Sequence, residues 1–484
     1  MPHSILLVRF QRVNEAKDID RWSGVSSNEV ISDLESFVVK DVDKKMQEHR
    51  RPIHYLGSKL RLLDEITTAL DELDPSYGCV CDLFCGSGTV SYHLSQNRSV
   101  IASDIQNYSQ VLCDALMMRC ETEVNEGELV AMVKSKFDQL ASASGVQKLL
   151  DYELGALRSA ETGDVSPLYS IIENGSIYGS FQDVSCDTEL SSLVKNTDKE
   201  LSASKNLLFK TQMLRYFGGL YFSYKQSLAL DAMLEVANSQ KGAIKQKSLA
   251  AALSTASEIV NTVGNQFAQP LKVRDSKGSY KHKLAPSIVA KRDLDPIPVF
   301  EKWLHHYLTA EQIEREYTFL RMDYVQALER LKDMNVAAVY ADPPYTRYHY
   351  SRYYHVLETM CLRDMPKVSN TCKGSKEMLS RAMYREDRHQ SPFCIKSKAE
   401  GAFEMLFSGV ADLGVPLVLS YSPFKPSQAV TPRLQTIDQL VSKASIYFDH
   451  VDVRSPGEFT HSKFNSSDKN FDTNHEAELL ILCH

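Results

Sequence analysis

Seven short apolar runs punctuate the chain, each closing on a polar or turn residue: GCVCDLF (78–84), SVIASD (99–104), YTFLRMD (317–323), VAAVYAD (336–342), VPLVLSYS (415–422), HVDVRS (450–455) and AELLILCH (477–484). Runs of this length predict buried strands. Helix-like stretches separate most of them, which predicts an α/β fold with a mostly parallel sheet covered on both faces. The last two runs are joined by PGEFTHSKFNSSDKNFDTNHE, a polar segment without helical period, so these two strands should pair antiparallel at the end of the sheet.

One connection breaks the rhythm. More than two hundred residues separate Asp104 from Tyr317, far beyond an ordinary crossover, so an inserted domain is expected there. It reads as mainly helical: in QKSLAAALSTASEIVNTV, Leu249, Leu253, Ala256 and Val260 recur at helical spacing along one face. The expected organisation is an N-terminal extension (1–50) to which no chemistry is assigned, a catalytic domain built from 51–120 and 311–484, and the insert at 121–310.

Chemistry concentrates at strand ends. CDLFCGSGTVSYHL puts Gly86 and Gly88 where a strand turns into a helix, allowing a tight turn and close approach of a ligand. Twenty-two residues after Asp82 the next strand ends on Asp104, a carboxylate suited to accept from both hydroxyls of a ribose. Ser91 stands where a dinucleotide fingerprint needs its third glycine, and no Gly-Lys-Ser/Thr follows. A ribose-bearing cofactor without a pyrophosphate, such as S-adenosylmethionine, fits this pattern. In VYADPPYTRYHY (339–350), Pro343 and Pro344 end the strand because neither has a backbone N–H to give. Asp342 and a proline carbonyl then stand side by side as two acceptors, matching the two donors of a planar NH₂ group. Acceptors pulling on both hydrogens free the nitrogen lone pair for attack on a methyl sulfonium. Tyr345 would stack on a base taken out of the helix, and the run TRYHYSRYYH (346–355) could touch bases and phosphates.

Composition narrows the picture. The chain has no signal peptide and no apolar stretch long enough for a bilayer, so a cytoplasmic protein is expected. Its ten cysteines include no C-x-x-C pair, which disfavours structural zinc and fits reduced thiols; no metal site is assigned. Net charge is −7, yet residues 241–292 carry ten Lys/Arg against Glu258 and Asp275, a focus of positive charge of the kind that binds polyanions.

The blocks HYLGSK (54–59), DLFCGSG (82–88), Asp104, RMDY (321–324), ADPPY (341–345) and LSYS (419–422) together resemble the Dam-type (D12 class) adenine-N6 DNA methyltransferases, in the alpha arrangement with the insert before D-P-P-Y. The resemblance implies a Rossmann-like methyltransferase fold, a seven-stranded sheet with one reversed strand, with the insert as target-recognition domain. It implies S-adenosylmethionine as cofactor, held near Tyr55, Gly57, Lys59, Asp82, Phe84, Gly86, Gly88, Asp104 and Asp323. It places Asp342, Pro343, Pro344 and Tyr345, with Lys59, at the target amine of a flipped adenine in double-stranded DNA. A restriction endonuclease or defence-system partner stays open, as do other planar amines (cytosine N4, adenine in RNA, a glutamine amide) and a non-catalytic DNA-binding protein on a degenerate fold.

Overall fold

All seven predicted strands form, and they lie in one sheet. The computed structural model describes residues 52–54, 59–121, 124–179, 188–373, 376–422, 434–455 and 478–484; the N-terminal extension falls outside them. The strands are β1 (Val80–Asp82), β2 (Val100–Ser103), β3 (Tyr317–Leu320), β4 (Ala338–Ala341), β5 (Asn370–Lys373), β6 (Lys376–Leu379), β7 (Leu417–Tyr421), β8 (Val451–Arg454) and β9 (Leu479–Cys483). Spatial order in the main sheet is β3-β2-β1-β4-β7-β9-β8. The pairs from β3 to β7 are parallel, and β9 runs antiparallel to both its neighbours. The mostly parallel seven-stranded sheet and the antiparallel pair at its end are thus borne out. β5 and β6 form a separate antiparallel hairpin; neither carries a sustained apolar run, so the hydrophobic pattern did not announce it.

Burial explains why the central runs read as continuous. β1, β2, β4, β7 and β9 are buried at every position, whereas the edge strands β3 and β8 are partly exposed. Successive residues serve opposite faces. Val80, Val100, Ala338 and Val418 pack with the helices Leu63–Leu73 and Thr89–Ser95; Cys81, Ile101, Val339 and Leu417 pack with Tyr324–Leu331, Lys396–Ala411 and Ile437–Ala444. A sheet covered on both sides needs apolar residues at both parities.

The order of strands fixes where a ligand can sit. From β1 the chain steps outward through β2 to β3, then returns to add β4 and β7 on the other side of β1. The carboxyl ends of β1 and β4 therefore flank the point where winding reverses, the usual crevice of open α/β sheets. Asp82 ends β1, with Leu83 N–H donating to Tyr340 O across the junction (2.9 Å), and Asp342 follows β4.

Between β2 and β3 lie the helices of the insert. Gly242–Ile259 is their centre, packing against Asn107–Met117, Tyr224–Ser239 and Pro296–Leu308. The expected stripe (Leu249, Leu253, Ala256, Val260) is buried, but so is every residue from 247 to 257. Alanine and serine occupy the other faces, letting neighbours approach from all sides, so the helix is a core helix and not a one-faced surface one.

The basic stretch is less free than its charge count implied. Lys247 is buried and donates to Ala115 O and Tyr307 O (2.7 and 2.8 Å). Lys291 donates to Glu258 O, and Arg274 pairs with Glu173. Arg292 is buried against Glu153 (3.1 Å) and the Gly219 carbonyl (2.7 Å). Lys247 and Arg292 are thus tied into the interior, whereas Arg274 keeps 41% exposure. Among the described residues no helix is long and apolar enough to cross a membrane.

Candidate active site

The turn after β1 is built around its glycines. Gly86 and Gly88 have φ of +53° and +76°, a region L side chains rarely adopt. Gly88 opens the helix Thr89–Ser95 and its N–H donates to Cys85 O (2.8 Å). A Cβ at Gly88 would lie 2.7 Å from Cys113 Sγ, so close packing on the Asn107–Met117 helix also requires glycine.

Asp104 is clamped to this turn. Its Oδ2 accepts from Gly86 N–H (3.1 Å) and its Oδ1 from Gln106 N–H (2.9 Å). Burial raises its proton affinity while these backbone donors pull the other way. Beneath the turn, Asp82 is fully buried; its Oδ2 accepts from Ser91 Oγ (2.6 Å) while Oδ1 has no hydrogen-bond partner. Burial, with the charges of Asp342 and Asp104 adding, pushes its pKa up to about 7 against the Ser91 bond.

Beyond β4, Asp342 meets a buried cation. Lys59 Nζ lies 2.7 Å from Asp342 Oδ2 and 3.1 Å from Glu478 Oε1; Lys59 is 4% exposed, Glu478 0% and Asp342 18%. Burial alone would lower the lysine's proton affinity, but Asp342 and Glu478 together hold it well above the ordinary lysine range. The same ammonium is 5.9 Å from the Tyr345 ring centroid. Tyr345 is 8% exposed and packs edge-on against Tyr421 (5.3 Å) at the end of β7.

A cleft opens above these strand ends, with about 770 Å³ of empty space counting its open mouth. Of the sequence-predicted residues, Phe84, Asp104, Asp323, Asp342 and Pro344 line it; Asp82, Gly86, Gly88, Lys59, Pro343 and Tyr345 do not, and support its walls instead. Tyr55 and Gly57 lie outside the described residues. Phe84, Tyr324 and Phe393 form an aromatic wall with centroids 5.0–5.8 Å apart. Asp323 caps the Tyr324–Leu331 helix, accepting from Val325 N–H (3.0 Å) while its own N–H reaches Gln326.

Some neighbours escaped the sequence reading. His389, Ser391 and Pro392 line the cleft without belonging to any stretch it singled out, whereas Tyr350 and Ser351 come from the run 346–355. Glu358 accepts from the Asn107 N–H and Nδ2 (2.8 and 2.6 Å), pinning the helix that follows Asp104. Glu478 had one available signal: it is the carboxylate that opens an otherwise apolar terminal strand. Among the described residues no group of His, Cys, Asp or Glu is arranged to hold a metal ion.

Comparison with known proteins agrees with the motif reading. Residues 55–152 match the D12 class N6 adenine-specific DNA methyltransferase family. The type II methyltransferase M.NlaIII of Neisseria lactamica is 32% identical over 98 residues, 19% of this chain and 28% of the relative. Modification methylase LlaI of Lactococcus lactis subsp. lactis is 21% identical over 408 residues, 81% of this chain and 48% of the relative. The chain thus spans less than half the length of these curated relatives. No solved structure matches it significantly. The resemblance read from the motif blocks is borne out as a similarity: residues 55–152, which include β1 and β2 of the mostly parallel seven-stranded sheet, match the D12 class N6 adenine-specific DNA methyltransferase family.

Proposed function

We propose that this protein is a site-specific DNA methyltransferase acting on the N6 amine of adenine with S-adenosylmethionine as donor. The observation that carries the reading is the pairing of Asp104 and Asp342 in one cleft at the reversal point of the sheet. The cleft's residues fit the cofactor. Asp104 offers acceptors for ribose hydroxyls, and Phe84 and Tyr324, which both line the cleft and are backed by buried Phe393, offer aromatic contact for a purine. Carboxylates dominate the charged lining, which suits a sulfonium cation and would repel a pyrophosphate. Bound there, the cofactor supplies an electrophilic methyl group.

The protein's part is binding and alignment. Asp342, as a carboxylate, only accepts hydrogen bonds, and Lys59 with Glu478 behind it fixes where it points. Pro343 and Pro344 end the strand so that a carbonyl stands beside that carboxylate. Accepting both hydrogens of an exocyclic amine localises its lone pair, and Asp342 is placed to take the proton shed once the nitrogen is alkylated. Tyr345, braced by Tyr421, is assigned to stack on the extruded base. The insert (121–310) is assigned to target recognition and the segments 51–120 and 311–484 to catalysis, in a cytoplasmic enzyme. One relative is named a type II methyltransferase and the other a modification methylase, which supports a restriction–modification setting and an endonuclease partner.

Expression in a methylation-free host, followed by sequencing that detects N6-methyladenine, tests activity, base and site together. Asp342→Ala should lower single-turnover methyl transfer by on the order of 10²–10³. Methyl groups on cytosine N4 would move the assignment to that amine. Activity of Asp342→Ala within a few-fold of the parent would remove Asp342 from the reaction.

A further inference from the structure

The chain beyond the two prolines carries positive charge that no ion pair among the described residues neutralises. Arg347 and Arg352 are exposed, and Tyr348 between them is 42% exposed. The guanidinium of Arg352 lies 5.8 Å from the Tyr384 ring centroid, and that of Arg388, from a distant segment, lies 5.3 Å from the same ring. The ring is held in place by its hydroxyl, which donates to Ala268 O. Ser351, just before Arg352, and His389, just after Arg388, both line the cleft, which puts the two arginines at its rim.

Their partners are telling. Arg388 donates to Ser369 Oγ and Arg385 O (3.0 and 3.1 Å), both neutral acceptors, and its buried Nε has no hydrogen-bond partner; nor has buried His349 Nδ1 nearby. Among the described residues, none of Arg347, Arg352 and Arg388 is in an ion pair. The neighbouring carboxylates are already engaged: Asp364 and Asp387 both bind Arg385 (2.6 and 3.0 Å). The positive field is real enough to act on His349, whose proton affinity is lowered by burial and then by Arg352, Arg388 and His389. Two like charges brought onto one ring repel each other, and planar guanidinium forks are matched to phosphate oxygens.

We propose that Arg352 and Arg388, mounted on Tyr384 with Arg347 beside them, form a phosphate-binding rim that holds the DNA backbone next to the target nucleotide. The assignment rests on the proposed function and replaces the basic stretch 241–292 as the main electrostatic contact. Backbone contacts position the duplex and leave sequence choice to other residues.

The test uses the full chain and a fluorescent mixed-sequence duplex, with affinity followed across salt concentration. Arg352→Gln and Arg388→Gln together should weaken binding at least tenfold (roughly, for two charge-assisted contacts). The logarithmic salt slope should shrink by about 0.9 per arginine. DNA KM should rise, cofactor KM and S-adenosylhomocysteine affinity should stay at parent values, and Arg352→Lys should retain most of the slope. Arg352 is exposed, so Arg352→Gln alone decides the matter if loss of half-buried Arg388 impairs folding. A variant that keeps the parent's affinity and slope overturns the rim while leaving the methyltransferase reading intact. A parent that neither binds the duplex nor methylates it overturns both.

Discussion

Lys59→Met should separate what the buried lysine does for stability from what it does for chemistry. In the parent, one ammonium serves two carboxylates, at 2.7 Å (Asp342) and 3.1 Å (Glu478), and Glu478 is wholly buried. Removing the cation takes from buried Glu478 the ammonium it shares with Asp342. Breaking a buried pair in this way costs roughly 3–5 kcal/mol; the lower end applies because Asp342 keeps 18% exposure and can turn to water. Glu478→Gln removes that carboxylate's charge while leaving Lys59 on Asp342, so alone it should cost less. Combined, the two substitutions should recover at least about 1 kcal/mol relative to the sum of the single effects, the mark of residues in contact. Urea unfolding of the four proteins gives the cycle, and single-turnover methyl transfer on the same samples gives the chemistry. Stability should return in the double variant but activity should not, because Asp342 has then lost the ammonium 2.7 Å from its Oδ2. Additive stability effects would show that Glu478 and Lys59 do not share a charge balance. Full activity in Lys59→Met would show that Asp342 needs no lysine to hold it.

Asp104→Ala should weaken S-adenosylhomocysteine binding by about ten- to a hundred-fold, the worth of charge-assisted bonds to two hydroxyls; an unchanged dissociation constant by calorimetry would place the ribose elsewhere. Tyr345→Ala should lose much more activity than Tyr345→Phe, since stacking on a base is worth roughly 1–3 kcal/mol and a phenyl ring preserves it; equal losses would assign the role to the hydroxyl. Asp82 binds its proton more tightly in the fold, with a pKa of about 7, than in the unfolded chain, where carboxylates titrate near 4 (about 3.9). The folded state therefore holds an extra proton between those values, and this group makes stability fall as pH rises from about 4 to 7. Asp82→Asn, which can still accept from Ser91, should flatten that fall by on the order of 1–3 kcal/mol; parallel stability–pH curves for parent and variant would refute it.

What could be read in the sequence was what is local. Buried strands are continuous apolar runs, so β1, β4 and β7 announced themselves, and Asp82, Asp104 and Asp342 stood out as charges where such runs stop. The paired glycines were legible because both positions need positive φ, and at Gly88 Cys113 also stands too close for a Cβ. Contacts over long separations were not legible. Glu478 reaches Lys59 across most of the chain, and Arg388 shares a ring with Arg352 only once both segments have folded onto Tyr384. Charge counts mislead for a related reason: Lys247 and Arg292 look like surface cations in the sequence, and their carbonyl and carboxylate partners come from other helices.

The helix Gly242–Ile259, walled in on every side, sets a limit on how this protein can be re-engineered. Its neighbours include Asn107–Met117, the helix that begins just after Asp104 and carries the cysteine closing on Gly88. Exchanging the segment between β2 and β3 wholesale for one from a relative would strip a packed wall from the helix that closes on the glycine turn after β1. A graft would thus have to import a matching Ala- and Ser-rich centre along with any new reading surface. New sequence preferences are more accessible by changing solvent-facing side chains one at a time on an insert left in place.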